Sequence, residues 1–560
     1  MKKAKKLSIS VFLSLLALLL CIGTFPFYVS AESGTAPEGE APVFSTYSGP
    51  WDGVSVSTSL AGDGQTEETA YIIATPADLA YLGLSSHSDK YTGKYFKLTA
   101  NIDMGGYNLY SSENNYMIGD SSSAFAGTFD GQGYTISNFS AYGAGAVGLF
   151  SIIGGATIKN LCVNAAQIGC ESSDGTASTY AGGIVGRTGV LGGTITNCNV
   201  FNTTVKATTH IGGIVGSAQK TTISNCVNSA TVSDIENNTE ANLLAGGIIG
   251  SSWAVLNKDK EIRITIENCV NYGSVSVTDE AKKVSGIKSA GGIIGAISQN
   301  DTVNSCINFG TVYAESTSYR VTSGGIVGRL RSADFDKSGL VYITNCLNLS
   351  DNIAVSGGTS NVGLINGYTQ TNTLTLTGNS SVQTASTLPD AEINGASHAS
   401  NAVLTAENNI IASDTESVST LKQSAAEKIG TVSASMSFKP HIAGVQENTS
   451  ASSMRFIMCL DSLDYQSVEF RITASYTEGG VQKTAYNGYT PITSVYSSIN
   501  ADGQTVTPIE FGGKYFATMC VTGIPSGVGD IVFTVNAYVK DLSGNVILVD
   551  CGTCTYSSGS

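Results

Sequence analysis

HIGGIVGSAQKTTISNCVNSATV, residues 210–232, decides how this chain folds. It holds almost no chemistry, yet it keeps returning. AGGIVG…TITNCNVFNTTV precedes it, and AGGIIG…TIENCVNYGSV, AGGIIG…TVNSCINFGTV and SGGIVG…YITNCLNL follow. The second glycine of each GG-I-V/I-G phrase falls at Gly183, Gly213, Gly247, Gly292 and Gly325, with weaker copies at Gly148 and Gly363. The intervals are 35, 30, 34, 45, 33 and 38 residues. A period in this range marks a stacked array whose units cannot bury their apolar faces alone.

Within one unit, three short strands are expected, through Ile214-Val215, Thr222-Ile223 and Thr231-Val232. Each is too short to stand by itself, and no helix separates them. That describes a β-solenoid, a right-handed β-helix, with hydrogen bonds running from coil to coil at about 4.8 Å. Seven to nine coils would make a rod of about 35–45 Å. The charged insertions SSWAVLNKDKEIRI (251–264) and TDEAKKVSGIKSA (278–290) fall between apolar phrases, where a loop can leave the rod.

The Asn-Cys pair reads as a corner. Strict alternation from Ile223 would put Cys226 outside in every coil, against the habit of a residue type that is usually buried. A bend at Asn225 removes the conflict, because Asn tolerates the left-handed conformation. Asn197, Asn225, Asn268 and Asn345 are then expected to stack as an amide ladder, over a column of small apolar fillers, Cys198, Cys226, Cys269, Cys306 and Cys346. The first coil has Phe139 in the place of the cysteine.

Composition agrees with an exported all-β chain. Of 560 residues 64 are Gly, 42% are hydrophobic and 13% are charged, about half the usual charged share. Residues 1–31 read as a signal peptide: Lys2, Lys3, Lys5 and Lys6, an apolar run from Leu7 to Ile22, and cleavage after Ala31. Removing it takes the formal charge from −15 to −19. So acidic a chain, without a basic stripe, excludes nucleic acid as partner. No later stretch has the roughly 18 apolar residues of a membrane span.

Twelve cysteines in an exported chain suggest disulfides. In-register cysteines on successive coils, however, would hold their Cβ atoms about 4.8 Å apart, beyond the ~3.5–4.5 Å of a bridge. Free buried thiols are expected. Cys162 and Cys170 could pair on a loop, Cys459 and Cys520 suit a strand core, and Cys551-Gly-Thr-Cys554 is a weak redox or metal signal on a strand. His87, His210, His398 and His441 are scattered, and His210 suits packing at a corner. No cofactor or metal is expected. Acids are the remaining catalytic candidates, since glycan-cleaving chemistry needs paired carboxylates or clustered Asp. Asp103 in NIDMGG and Asp130 in TFDGQGYTI stand in Gly-rich turns, where Asp caps backbone N–H groups. Trp253, Tyr313 and Tyr319 are the candidates for stacking on sugar rings; Tyr272 and Phe309 suit a stacked core pair.

The repeated phrase resembles the GLUG-motif repeats of bacterial secreted and surface proteins. The lead-in is similar too, through PWDGVSVSTSLAGDGQTEETAYIIATPADLAYL, YTGKYFKLTANIDM and AFAGTFDGQGYTISNF, so that the resemblance covers roughly residues 50–368. It implies a right-handed β-helix with an N-terminal cap and a secreted or cell-surface, adhesin-like role. In the cap, TPADLAYLGL has Thr75 as N-cap, Pro76 at the first helical position and a stripe of Leu79, Tyr81 and Leu82. Residues 433–558 alternate apolar and polar between EGG, ADG and SGN turns, the pattern of a β-sandwich. Their text is similar to C-terminal modules of exported proteins from Gram-positive anaerobes.

The expected order is therefore a signal peptide (1–31), an N-terminal segment and cap (32–92), a β-helix (93–385), a linker (386–432) with weak helical pattern around STLKQSAAEKI, and a sandwich (433–560). The expected function is non-catalytic binding or adhesion, with a glycan or a protein as ligand. A polysaccharide lyase or glycoside hydrolase on the same scaffold is the alternative.

Overall fold

In the computed structural model, residues 50–557 are described apart from short segments, the longest being 170–177, 254–262, 332–339 and 383–402. The signal peptide and Ala31, Cys170 and Tyr319 lie outside the described residues. One turn of the rod has five strands, not three: His210–Gly212, Val215–Ala218, Thr221–Ser224, Val227–Asn228 and Thr231–Asp234. The two unexpected strands flank the glycine pair and the cysteine, whose bends hide period-2 alternation. Each strand pairs in parallel with its equivalent one coil on, as in Ile223↔Ile266 and Val232↔Val275.

Five parallel sheets result, here numbered I to V in the order of those strands, with 7, 6, 11, 10 and 7 strands. The eleven-stranded sheet III gives the rod a length of about 48 Å. Ile211, Ile214, Val215, Ile223 and Val232 are fully buried, and their equivalents in every coil join one continuous core. Sheet I is buried on both faces: Ser289 donates to the Gly295 carbonyl of sheet II at 2.7 Å, and Ser323 to the Ala354 carbonyl of sheet V at 2.8 Å.

The asparagines divide the work differently from the expectation. Asn197, Asn225, Asn268 and Asn345 do turn the corner between sheets III and IV, with φ of 54°, 53°, 52° and 55°. They do not bond to one another; Asn197 donates to Asn160 and Asn345 to Asn304. The buried ladder stands three residues later. The Asn228 amide donates to Asn271 at 2.9 Å, Asn271 to Asn308 at 2.9 Å, Asn308 to Asn348 at 3.1 Å, and Asn348 to Ser381 at 3.0 Å. Each amide oxygen also accepts the backbone N–H two residues on, as Asn271 does from Gly273 at 3.2 Å. A left-handed corner throws its side chain outward, whereas the third residue beyond it faces inward on sheet IV. There it meets the glycine pair: a Cβ on Gly247 would lie 2.2 Å from the Asn271 carboxamide carbon. The repeated phrase is thus a lock between glycine and amide, made at Gly213, Gly247, Gly292 and Gly325, whereas Gly183 meets Val200.

Cys198, Cys226, Cys269, Cys306 and Cys346 form the column beside the corner, all buried and free. The Cys226 thiol points at the Ser224 carbonyl at 3.3 Å and at Ile195 of the preceding coil at 3.8 Å. Burial pushes the Cys226, Cys269, Cys306 and Cys346 thiols well above their ordinary range. Register puts Leu161 in this column before Cys198, since Cys162 pairs with Asn199. Phe139 sits instead at the following corner, just before Ser140–Ala141, so the equivalence of Phe139 with the cysteines is corrected.

The N-terminal end is closed by a helix, Pro76–Ser85, with a capping box between Thr75 and Asp78 and a proline in its first turn. Its Leu79 and Leu82 enter the rod core. The linker expectation for 386–432 fails at its centre. Val403–Glu407 and Ile410–Ala412 continue sheets III and IV in parallel register. A helix, Thr415–Ser435, follows. Asp414 caps it by accepting from Glu416 and Ser417 at 3.0 and 2.9 Å. The outer column of sheet IV is apolar, Val227, Val270, Ile307 and Leu347, and Leu421, Ala425 and Ile429 of the helix share a core with it. An unmatched apolar stripe on a sheet needs a second layer, and the helix supplies it.

Beyond 440 the pairing becomes antiparallel. Two four-stranded sheets run through His441–Asn448, Ser453–Leu460, Lys514–Val521 and Ile509–Phe511, and through Val481–Ile492, Tyr465–Glu478, Asp530–Asp541 and Val546–Ser557. Phe456 and Met458 of one sheet and Phe470, Ile472 and Phe533 of the other belong to one core.

Candidate functional site

The two acids weighed for catalysis are occupied by the backbone. Asp103 accepts from the Gly105 N–H at 2.9 Å and the Asn138 amide at 3.0 Å. Asp130 accepts from Gln132 at 2.9 Å and Asn160 at 3.0 Å, and Lys159 lies 3.3 Å away. Asp130 starts the line that runs through Asn160 to the corner Asn197, and Asp103 is held by Asn138 at the next corner. Among the described residues no three His, Cys, Asp or Glu side chains gather as a metal site. No described helix is long and apolar enough to cross a membrane.

The aromatic candidates separate. Tyr313 donates to Glu315 beside it at 2.7 Å, on sheet V. Tyr272 and Phe309 stack with centroids 4.9 Å apart, against the helix 415–435 core. Trp253, at the end of its sheet II strand, is 48% exposed, and its backbone N–H is held by the Ala218 carbonyl at 2.8 Å. It belongs to a strip that the sequence reading did not assemble.

Two register columns build that strip. On sheet I, Tyr180 pairs with His210; on sheet II, Arg187, Ser217, Ser251, Ala296 and Arg329 follow one another coil by coil. The Arg187 guanidinium lies 5.5 Å from the Tyr180 ring, and Tyr180 stacks on His210 at 4.9 Å with an interplanar angle of 9°. His210 meets the Trp253 ring edge-on at 6.2 Å, and Arg331 lies 5.8 Å from that same ring. Arg329 and Arg320 lie 5.9 and 4.3 Å from Tyr368. A run of three rings, Tyr180, His210 and Trp253, thus has a guanidinium at each end, each facing the negative π-face that attracts it.

His210 is buried and bonded to Ser251 through Nδ1 at 2.6 Å. Burial first, and then Arg331, pulls its pKa down to about 3, so the ring is neutral in neutral solution. Burial, then Arg331 and Arg320, pulls Arg329 down to about 10. Burial also lowers Arg331. The strip therefore gathers positive charge at a cost in desolvation. His210 is therefore part of a stacked strip and not only a corner residue; a tyrosine and a histidine at the head of two successive glycine phrases, TYAGGIVG and THIGGIVG, are the signal in the sequence.

Five parallel sheets, a core of stacked rungs and a lateral strip of side chains define a β-solenoid repeat protein. Residues 207–233 match the family model described as the GLUG motif. This stretch of the chain is similar to the GLUG motif, and the same phrase recurs in the neighbouring coils. The chain is 33% identical over 178 residues, 30% of its length, to halomucin of Haloquadratum walsbyi, and spans 2% of that protein. A solved structure described as a candidate immunoglobulin A1 protease from Bacteroides ovatus aligns with 66% of this chain and 88% of its own, at 18% identity and a TM-score of 0.35.

Proposed function

We propose that this chain is an exported, cell-surface or extracellular, non-catalytic binding protein. Its right-handed β-helix presents the Trp253 strip to a glycan, and residues 441–557 form a β-sandwich module. The carrying observation is where polar chemistry is spent. Between Gly183 and Gly325 the buried amides lock coil to coil, and Asp103 and Asp130 are held by corner groups. Trp253 stands outside this framework and, with Tyr107, Tyr110 and Tyr342, is one of the exposed aromatic rings among the described residues. The export-like residues 1–31, the GLUG match and the similarity to halomucin support an extracellular place.

The test is a binding screen of the chain from residue 32 onward against immobilised glycans and matrix proteins, with and without Trp253→Ala. The reading expects a glycan ligand whose affinity drops about tenfold or more in the variant, as for a central aromatic contact. It is overturned if nothing but protein binds or if Trp253→Ala binds as well as the parent. Release of new sugar ends from a polysaccharide, abolished by Asp130→Asn, would instead favour the lyase or hydrolase.

A further inference from the structure

We infer that the ligand of this strip is an anionic glycan, its carboxylate or sulfate groups paired by Arg187 and Arg331. This inference rests on the glycan-binding reading above and adds the ligand's charge. Four of the chain's seven arginines, Arg187, Arg320, Arg329 and Arg331, stand in this one strip, although the whole chain carries −15. Among the described residues no Asp or Glu forms an ion pair with Arg187, Arg320 or Arg331. The Arg187 Nε–H is buried with no hydrogen-bond partner. Partly desolvated cations without a counter-charge are costly to hold. A guanidinium offers the planar fork that fits carboxylate and sulfate oxygens in pairs.

The arrangement favours an extended ligand over a single small anion. Arg187 and Arg329 are four register steps apart along sheet II, about 19 Å. It also favours a sugar chain over a single-stranded nucleic acid, which needs open aromatic faces for base after base. Tyr180 and His210 already cover each other, and Arg331 lies beside the Trp253 ring. One exposed indole with the Arg331 guanidinium beside it suits a ring with a charged substituent.

The test is calorimetric titration of the chain from residue 32 onward with polygalacturonate (carboxylated), heparin (sulfated), dextran (neutral) and a thirty-nucleotide poly-dT. Parent, Arg187→Gln/Arg331→Gln, Arg331→Lys and a control, Lys97→Gln, are compared after thermal melts establish folding. The inference expects an acidic polysaccharide to bind, dextran not to, and added salt to weaken the complex. The double variant should lose at least tenfold, Arg331→Lys less, and Lys97→Gln nothing. If the double variant fails to fold, Arg331→Lys and the salt dependence carry the comparison. Equal binding of dextran and the acidic chains, or an unaffected double variant, overturns the charge assignment and leaves the glycan reading standing. No binding of any polysaccharide overturns both. Poly-dT binding as tightly as the acidic chains, with the same losses, overturns the glycan class.

Discussion

Replacing Asn271 by Ala should open the rod locally far more than the same change at Asn268, although both belong to one ENCVN phrase. The Asn271 amide donates to Asn308 and to the Gly273 carbonyl, each at 2.9 Å, and accepts from Asn228 at 2.9 Å and Gly273 N–H at 3.2 Å. All four bonds are buried, and each contributes about 1 kcal/mol net, which places the loss near 4 kcal/mol. Asn268 is exposed and makes the corner at φ 52°; an alanine there costs about 1 kcal/mol for the left-handed conformation. Stacked repeats open in pieces, so a global midpoint is a poor readout. Native-state hydrogen exchange of residues 265–277 reads the local event. At 1.4 kcal/mol per factor of ten, Asn271→Ala should speed it about a thousandfold and Asn268→Ala by no more than about tenfold. Equal acceleration by both variants, or a larger effect at Asn268, would refute the assignment of the buried ladder to the second asparagine.

Two further outcomes follow from buried titrating groups. Asp301 accepts N–H bonds from Ile264 at 2.9 Å and Ser298 at 3.1 Å, yet burial pushes its pKa up to about 7. A carboxyl with a raised folded pKa takes up a proton on folding, so its contribution is full below about pH 4 and is lost as pH rises through about 7, on the order of 4 kcal/mol. Urea midpoints from pH 5 to 8 should therefore fall more steeply in the parent than in Asp301→Asn, and parallel slopes would contradict this. Burial likewise holds the Cys269 thiol protonated; iodoacetamide at pH 8 should leave it unlabelled in folded protein and label it in denaturant, and rapid labelling of the native chain would disprove the closed column.

Period, strand character and the corners were legible in the sequence because each is a local property. Asn225 turns because an asparagine tolerates φ 53°, and Ile223 is buried because it alternates with threonine and serine on a short strand. Thr75 and Pro76 begin a helix by capping rules that span four residues. The second asparagine of NCVN could have been found as the ladder, since it recurs at 228, 271, 308 and 348. What conceals it is that the bend at Asn225 resets the alternation, so that Asn228 shares the inward face with Cys226.

Other features needed the coils to be stacked. Whether Val227 is solvent-facing or covered depends on a helix almost two hundred residues away, Thr415–Ser435, whose apolar positions give only a weak pattern of their own. Tyr180, Arg187, His210, Trp253 and Arg331 have no common spacing; parallel register alone lines them up, one insertion being longer than the next. By itself the sequence determined that identical rungs would stack, since each rung repeats the same burial and the same bends. Only the tertiary structure decided which odd side chains become neighbours, because adjacency across coils is set by hydrogen-bond register and not by distance along the chain.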